Sequence, residues 1–252
     1  MRILLTNDDG VDSEGLLALK KALEGKHETT VLAPDRNWSI SGHMRTMDKP
    51  LRVTEVVLRD GSPAYASDGS PADCVALAAL GLFDKPPELV ISGINHGNNL
   101  GDDITYSGTV AAAMEGVISG IPSIAVSMDV TPNWPTEVGA MFTARLVEQI
   151  VERGLAKDIL LNVNVPNLPH DEVKGVKITR LGKRVYDDEL LVRQDPRGRK
   201  YYWIGGTNVT NHIEEGTDVE AIEQGYVTVT PIHMDLTNHR LLDMLRSWDL
   251  RF

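Results

Sequence analysis

The stretch Ile3-Leu4-Leu5-Thr6-Asn7-Asp8-Asp9-Gly10 decides how the rest of the chain is read. Its apolar run has the character of a buried strand, yet it stops at two adjacent acids and a glycine. Core packing asks for no carboxylates there, whereas ligands of open α/β sheets sit beyond the carboxyl ends of the strands. Neighbouring carboxylates repel unless positive charge lies beside them, so the pair points to a bound divalent cation. The competing reading is a solvated turn in which an acid caps the next helix.

Working outward, Asp12 or Ser13 caps a helix in which Leu16, Leu19 or Lys20, and Leu23 recur at helical spacing, and Gly25 stops it. Thr29-Thr30-Val31-Leu32-Ala33 follows as a strand closed by Pro34. A β-α-β unit implies parallel strands and a right-handed crossover. The oxygen-rich loop from Pro34 to His43 therefore leaves the sheet at the same edge as Asp8 and Asp9. Pro50 to Leu58, followed by Asp60-Gly61, reads as a hairpin that makes an excursion from the sheet. Ser70 caps, and Pro71 opens, a helix running to about Leu82. Glu88-Leu89-Val90-Ile91-Ser92 is the next strand, and Gly93 to Asp103 is its carboxyl-end loop.

Gly93, Gly97 and Gly101 recur at intervals of four, which fits neither a dinucleotide-binding nor a Walker A loop. Tyr106-Ser107-Gly108-Thr109 opens a further helix, whose free N–H groups and dipole favour a phosphate, although an ordinary serine cap has the same pattern. Ile121 to Ser127 is a buried strand. Thr136 to Arg153 is a helix with Val138, Met141, Phe142, Leu146 and Ile150 as its expected inward face. Ile159 to Pro166 alternates like a strand with one polar face.

Beyond Pro169 the β-α alternation stops. Val176 to Thr179, Arg199 to Ile204 and Tyr226 to Thr230 read as strands, and the last helix carries Leu241, Leu242, Leu245 and Trp248. We therefore divide the chain into a core, 1–170, and an extension of hairpins and a terminal helix, 171–252. Such a tail buries little apolar surface alone, which favours an oligomer contact. Arg193, Arg197, Arg199 and Lys200 read as solvated hairpin surface.

The chain has 252 residues, 42% of them hydrophobic, enough for one large α/β domain or a domain with an appendage. A formal net charge of −11 argues against a nucleic-acid polymer as partner but not against a small phosphate ester, whose charge a metal and a few amides can offset. Cys74 is the only cysteine and sits in an apolar helical run, so it reads as an inert buried thiol rather than a nucleophile. The short apolar run before Asp8 leaves no room for a signal peptide, and no stretch approaches the ~18 apolar residues of a membrane span. We expect a cytoplasmic protein without a membrane partner, in which the glycosylation-like patterns at Asn37 and Asn208 have no role.

Three strand ends thus deliver Asp8 and Asp9, then Ser39 and Ser41, then Asn95 and Asn98 to one edge. Two carboxylates, a hydroxyl and an amide oxygen form a hard oxygen shell suited to Mg²⁺, Mn²⁺ or Ca²⁺, with no Cys or His cluster to select zinc. A metal-activated water would attack a phosphate held at Ser107-Gly108-Thr109.

Here the sequence resembles the SurE family, the survival protein E group of metal-dependent 5′-nucleotidases and acid phosphatases. The resemblance is carried by residues 3–10, Ala33 to Ser39 with Ser41-Gly42, Gly69 to Cys74, Ser92 to Asn99, and Tyr106 to Ala113. It implies an α/β, Rossmann-like three-layer core with a mainly parallel sheet, and a C-terminal extension that builds a homodimer or homotetramer. One divalent ion per subunit, Mg²⁺ or Mn²⁺ with Ca²⁺ as a further occupant, is implied at Asp8, Asp9, Ser39 and Asn95. Of these, Asp8, Asp9 and Asn95 carry catalysis, while Asn7, Ser39, Ser41, Gly42, Asn98, Ser107, Gly108 and Thr109 contact phosphate or substrate. The implied substrates are nucleoside 5′-monophosphates, with 3′-monophosphates and short polyphosphate in some members.

Two other acid-bearing α/β families fit less well. A haloacid-dehalogenase-type phosphatase needs an acid two residues after its nucleophile, where Gly10 stands, and a receiver domain needs an acid at the end of its central strand, where Ser92-Gly93-Ile94-Asn95 has none. The non-enzymatic rival is a metal-dependent nucleotide-binding or sensing module. His43 and His96 lie close to the expected shell, where either could shuttle a proton, although an ordinary loop histidine is the commoner case.

Overall fold

The computed structural model describes residues 1–129, 135–187, 189–205 and 209–250, so Asn208 lies outside the described residues. The first half alternates as expected: β1 Arg2–Thr6, α1 Glu14–Leu23, β2 Glu28–Pro34, β3 Val53–Val57, β4 Pro63–Ser67, α2 Pro71–Ala79, β5 Leu89–His96, α3 Gly108–Ile118, β6 Ser123–Met128, α4 Thr136–Arg153 and β7 Leu160–Val165. The rest comprises β8 Val176–Ile178, β9 Lys183–Tyr186, β10 Glu189–Gln194, β11 Lys200–Gly205, β12 Val209–His212, α5 Asp218–Glu223, β13 Val227–Ile232 and α6 His239–Arg246.

Nine strands form one sheet in the order β3-β4-β2-β1-β5-β6-β7-β13-β8. From β4 to β7 every neighbouring pair is parallel, while β3 and β13 run antiparallel to β4 and β7. The chain winds outward from β1 through β2, then crosses back to β5 on the other side of β1, so the switch point lies between β1 and β5. Ile3 and Leu5 join the core on the face of α1 and α4, and Leu4 joins the core on the face of α2. Helices on both faces explain why β1 is apolar throughout rather than alternating. Each such side chain contributes roughly 1.5–3 kcal/mol by leaving water.

Local chemistry sets the helix ends. Ser13 accepts from the Leu16 N–H to cap α1. At α2, Ser70 and Asp73 exchange side-chain and backbone bonds in a capping box ahead of Pro71.

Three expectations need correction. The hairpin of β3 and β4 is no excursion, because β4 pairs with β2 and the hairpin becomes the sheet's edge. The buried stripe of α4 is Thr136, Gly139, Ala140, Thr143, Val147 and Ile150, whereas Met141 is 42% exposed. The small residues win because α4 lies close on β5: a Cβ on Gly139 would stand 3.2 Å from Ile94 Cδ1. Val138, Phe142 and Leu146 only flank that contact. Third, Gly93 to His96 continue β5 past a bulge instead of forming a loop.

The polar face of β7 points inward. Asn162 and Asn164 are fully buried and donate to the Asn99 carbonyl, both at 2.9 Å, while Asn164 accepts from the Asn99 N–H at 2.8 Å. Asn99 in turn donates to Ser127 Oγ at 2.7 Å. This closed network fixes the chain just after β5. Asp218 forms a second anchor: its carboxylate accepts from the N–H groups of Gly101 at 2.9 Å and Gly182 at 2.7 Å. By contrast, every residue of β10 is exposed.

Candidate active site

The acid pair sits where the winding direction reverses. Asp8 is 3% exposed. Its carboxylate accepts from Thr109 Oγ1 and from the Thr109 backbone N–H at the start of α3. Burial pushes the Asp8 carboxyl up to about 6, the Thr109 hydroxyl opposes this, and the neighbouring Asp9 charge adds to it. Burial also raises Asp9, against the His96 N–H that donates to Asp9 Oδ2 at 3.2 Å. Two carboxyls raised by burial, Asp8 further by its neighbour's charge, form a site short of positive charge.

Asp8 Oδ2 crowds the start of α3. A Cβ on Gly108 would lie 2.8 Å from that oxygen and 3.0 Å from Ser41 Oγ, so only glycine lets the helix approach. Ser41 Oγ is buried without a protein partner, an orphan acceptor beside an acid. Asn95 donates its amide nitrogen to the Gly97 carbonyl at 2.8 Å, which leaves its amide oxygen for another ligand. Trp38 donates its backbone N–H to the Asp8 backbone carbonyl at 2.7 Å, and the next residue, the exposed Ser39, stands at the rim. Among the described residues no three His, Cys, Asp or Glu side chains converge. A cation here must therefore complete its shell with neutral oxygens, and the Asn95 amide oxygen beside two carboxyls short of positive charge fits that requirement.

Several expected site residues are engaged by the protein itself. Asn7 is fully buried and its amide is spent on the turn: it donates to the Gly10 carbonyl at 3.0 Å and to Ser13 Oγ at 2.6 Å, and accepts from the Gly10 N–H at 3.2 Å. It shapes the acidic turn. Thr109 likewise supports Asp8, to which its hydroxyl donates. Ser107 Oγ caps α3 by accepting from the Val110 N–H at 3.1 Å. Gly42 donates its N–H to the Tyr106 carbonyl at 3.0 Å, seating Ser41 against α3. Asn98 stands apart, lining a cavity of about 520 Å³ with Leu100, Asn167 and Arg184. A second cavity, of about 500 Å³ beside Arg2, Glu28 and Phe83, lies at the opposite edge of the sheet from the acids.

Sequence reading missed Asn162 and Asn164 as anchors, although two asparagines alternating within a strand are the signal. It also missed the buried acids Asp73 and Glu115, which hold the loop bearing Ser39 and Ser41. Cys74 is fully buried and burial pushes its thiol far above the ordinary range, in keeping with an inert thiol.

Fold and site together define a class: Rossmann-like three-layer α/β proteins with their ligand site at the carboxyl edge of a parallel sheet. Residues 3–188 match the family model described as Survival protein SurE. The chain is 55% identical to the 5′-nucleotidase SurE of Chloroflexus aggregans over 99% of both chains. It is 49% identical to that of Geobacter sulfurreducens, covering 99% of this chain and 94% of the relative. The crystal structure of the SurE protein from Aquifex aeolicus superposes with a TM-score of 0.85 at 45% identity, over 98% of each chain. The chain belongs to the SurE family.

Proposed function

We infer that this protein is a metal-dependent 5′-nucleotidase that hydrolyses nucleoside 5′-monophosphates to nucleoside and phosphate. The observation that carries this reading is the acid pair: Asp8 and Asp9 are raised at a switch point, their hydrogen-bond donors already spent, beside an orphan hydroxyl and an available amide oxygen. The binding-only alternative is disfavoured, because full-length relatives bear the name of a hydrolase.

Asp8, Asp9, Ser39 and Asn95 are the proposed ligands of one divalent ion per subunit, with Mg²⁺ or Mn²⁺ as the working ion. Such an ion acidifies a coordinated water and offsets charge on the phosphoryl oxygens. Hydrolysis adds the water oxygen to phosphorus, breaks the bond to the ester oxygen and returns a proton to the departing nucleoside. The chain's own groups hold the geometry. Thr109 fixes Asp8, the His96 N–H fixes Asp9, and the turn bond from Asn95 to Gly97 orients its amide oxygen. Ser41, Gly42, Ser107 and Gly108 form the proposed phosphate cradle, and Asn98 is the proposed contact to the rest of the substrate.

No helix among the described residues is long and apolar enough to cross a membrane. We place the protein in the cytoplasm as a homodimer or homotetramer, with 1–170 as catalytic core and the extension as the assembly arm. A panel of 5′- and 3′-monophosphates, p-nitrophenyl phosphate and short polyphosphate, run on chelator-stripped protein with and without Mg²⁺ or Mn²⁺, tests the reading. Release of phosphate from 5′-monophosphates only after metal is restored is expected. Full turnover in stripped protein, or tight binding without turnover, would contradict it.

A further inference from the structure

The loop from Trp38 to Thr46 carries Ser39, Ser41 and Gly42, yet it has no apolar anchor. None of residues 36–50 is buried, and Ile40 is 83% exposed with its backbone in the left-handed region. Its ordering must come from polar contacts, and beyond the backbone bonds of Trp38 to Asp8 and Gly42 to Tyr106 these converge on two buried acids. Glu115, on α3 and 4% exposed, accepts from Arg45 Nη1 at 2.6 Å and meets His43 Nε2 at 3.0 Å. Asp73, 1% exposed in the first turn of α2, accepts from the Thr46 N–H at 2.9 Å and from Thr46 Oγ1 at 2.6 Å. Arg45 Nε also stands 3.7 Å from Asp73, so one guanidinium links both acids. Ser70 Oγ adds a bond to the Met44 carbonyl at 2.6 Å.

Helix α3 acts as a ruler along this loop. Its first turn lies against Ser41 and Asp8, and two turns later Glu115 grips His43 and Arg45. A buried glutamate with two basic partners in mid-helix does nothing for the helix itself, and replacing it by an apolar residue would pack as well.

We propose that Glu115 and Asp73 are positioning residues for the 5′-nucleotidase reaction: through His43, Arg45 and Thr46 they clamp the loop that brings Ser39 and Ser41 to the acid pair. This rests on the site assignment above, and its test separates the two. Glu115→Ala removes the clamp from the helix side, and His43→Ala with Arg45→Ala removes those contacts, together with the approach of Arg45 to Asp73, from the solvent side, where the helix core is untouched. Amide exchange measured by mass spectrometry should rise in the peptide spanning 38–46 in both variants, with that of β1 unchanged. Both should raise KM and the Mn²⁺ concentration for half-activation about tenfold, with kcat at saturation within about threefold of wild type. The triple variant should be no worse than either, as members of one coupled unit are non-additive. If Glu115 only supported α3, the loop-side variant would show wild-type exchange and kinetics, and the proposal would fall. Asp9→Asn, run in parallel, reports on the site itself: loss of turnover there, beside unaltered loop-side variants, would discard the clamp alone. Wild-type turnover in Asp9→Asn would discard the site, and the clamp with it.

Discussion

Strand β5 and the hairpin of β10 and β11 are both well-paired β structure, and they differ in almost everything else. From Leu89 to Ile94 β5 is buried, and its next residue, Asn95, stands at the candidate site before the strand ends at His96. In the hairpin, Leu191 stands opposite Trp203 in an unbroken antiparallel register, yet Leu191, Val192, Tyr202, Trp203 and Ile204 are all exposed. Backbone pairing alone is marginal in water, and it is side-chain burial that stabilises a sheet. The first region therefore holds a site rigidly within one chain, while the second is apolar surface that calls for a cover.

The largest expected effect lies on the β5 side. Asp9→Asn should lower turnover by about a hundredfold or more while leaving assembly unchanged, because it alters charge at a site remote from the hairpin. A steady-state rate within threefold of wild type would remove Asp9 from the chemistry. On the other side, Leu191→Asp with Trp203→Asp should reduce the molar mass seen by light scattering, and leave the circular dichroism of the core unaltered. An unchanged mass would mean that the hairpin's apolar face makes no contact between copies.

Asp218 ties the chain after β5 to the segment just before β9, and loss of its carboxylate leaves the N–H groups of Gly101 and Gly182 without acceptors. Asp218→Ala should therefore cost about 3 kcal/mol in urea unfolding. Burial raises this carboxyl above its ordinary 3.8, against the pull of four backbone N–H groups. A raised acid keeps its proton longer in the folded state, so its contribution to stability falls as pH rises from the ordinary value through the raised one. The Asp218→Asn variant should lack that part of the pH profile. Smallest is the contrast within α4: Val147→Ala should cost about 2 kcal/mol, and Met141→Ala less than about 0.5 kcal/mol. Equal losses would restore Met141 to the inward face.

These contrasts also mark where the sequence was legible. The bounds of α4 match Thr136 to Arg153, and β1, β2 and β6 fall where apolar runs end in turn residues, because local patterning dictates them. Which face of α4 turns inward was not legible, since Gly139 against Ile94 is a contact between distant segments. Nor could local pattern show that β4 joins β2, or that β13 inserts between β7 and β8. At the site, polar residues beside the acids look alike whether they meet a ligand or another protein group. The bonds of Asn7 to the acidic turn and of Thr109 to Asp8 were not legible, and Glu115, two turns down α3, gave no signal beyond its position in an apolar helix.

We propose that two carboxyls raised by burial, Asp8 further by the Asp9 charge, are kept together for a cation that joins them. Thermal unfolding of wild type and Asp8→Asn at pH 7.5, in chelator and in Mn²⁺, tests this most directly. With a folded value of about 6 against an ordinary 3.8, ionised Asp8 costs the metal-free protein about 3 kcal/mol at that pH. Asp8→Asn should therefore match or exceed wild type in chelator. Mn²⁺ at about a hundred times its dissociation constant should then stabilise wild type by about 2.7 kcal/mol, roughly 5–10 °C, and leave the variant unmoved. An equal rise in both proteins, or none in wild type, would contradict the account.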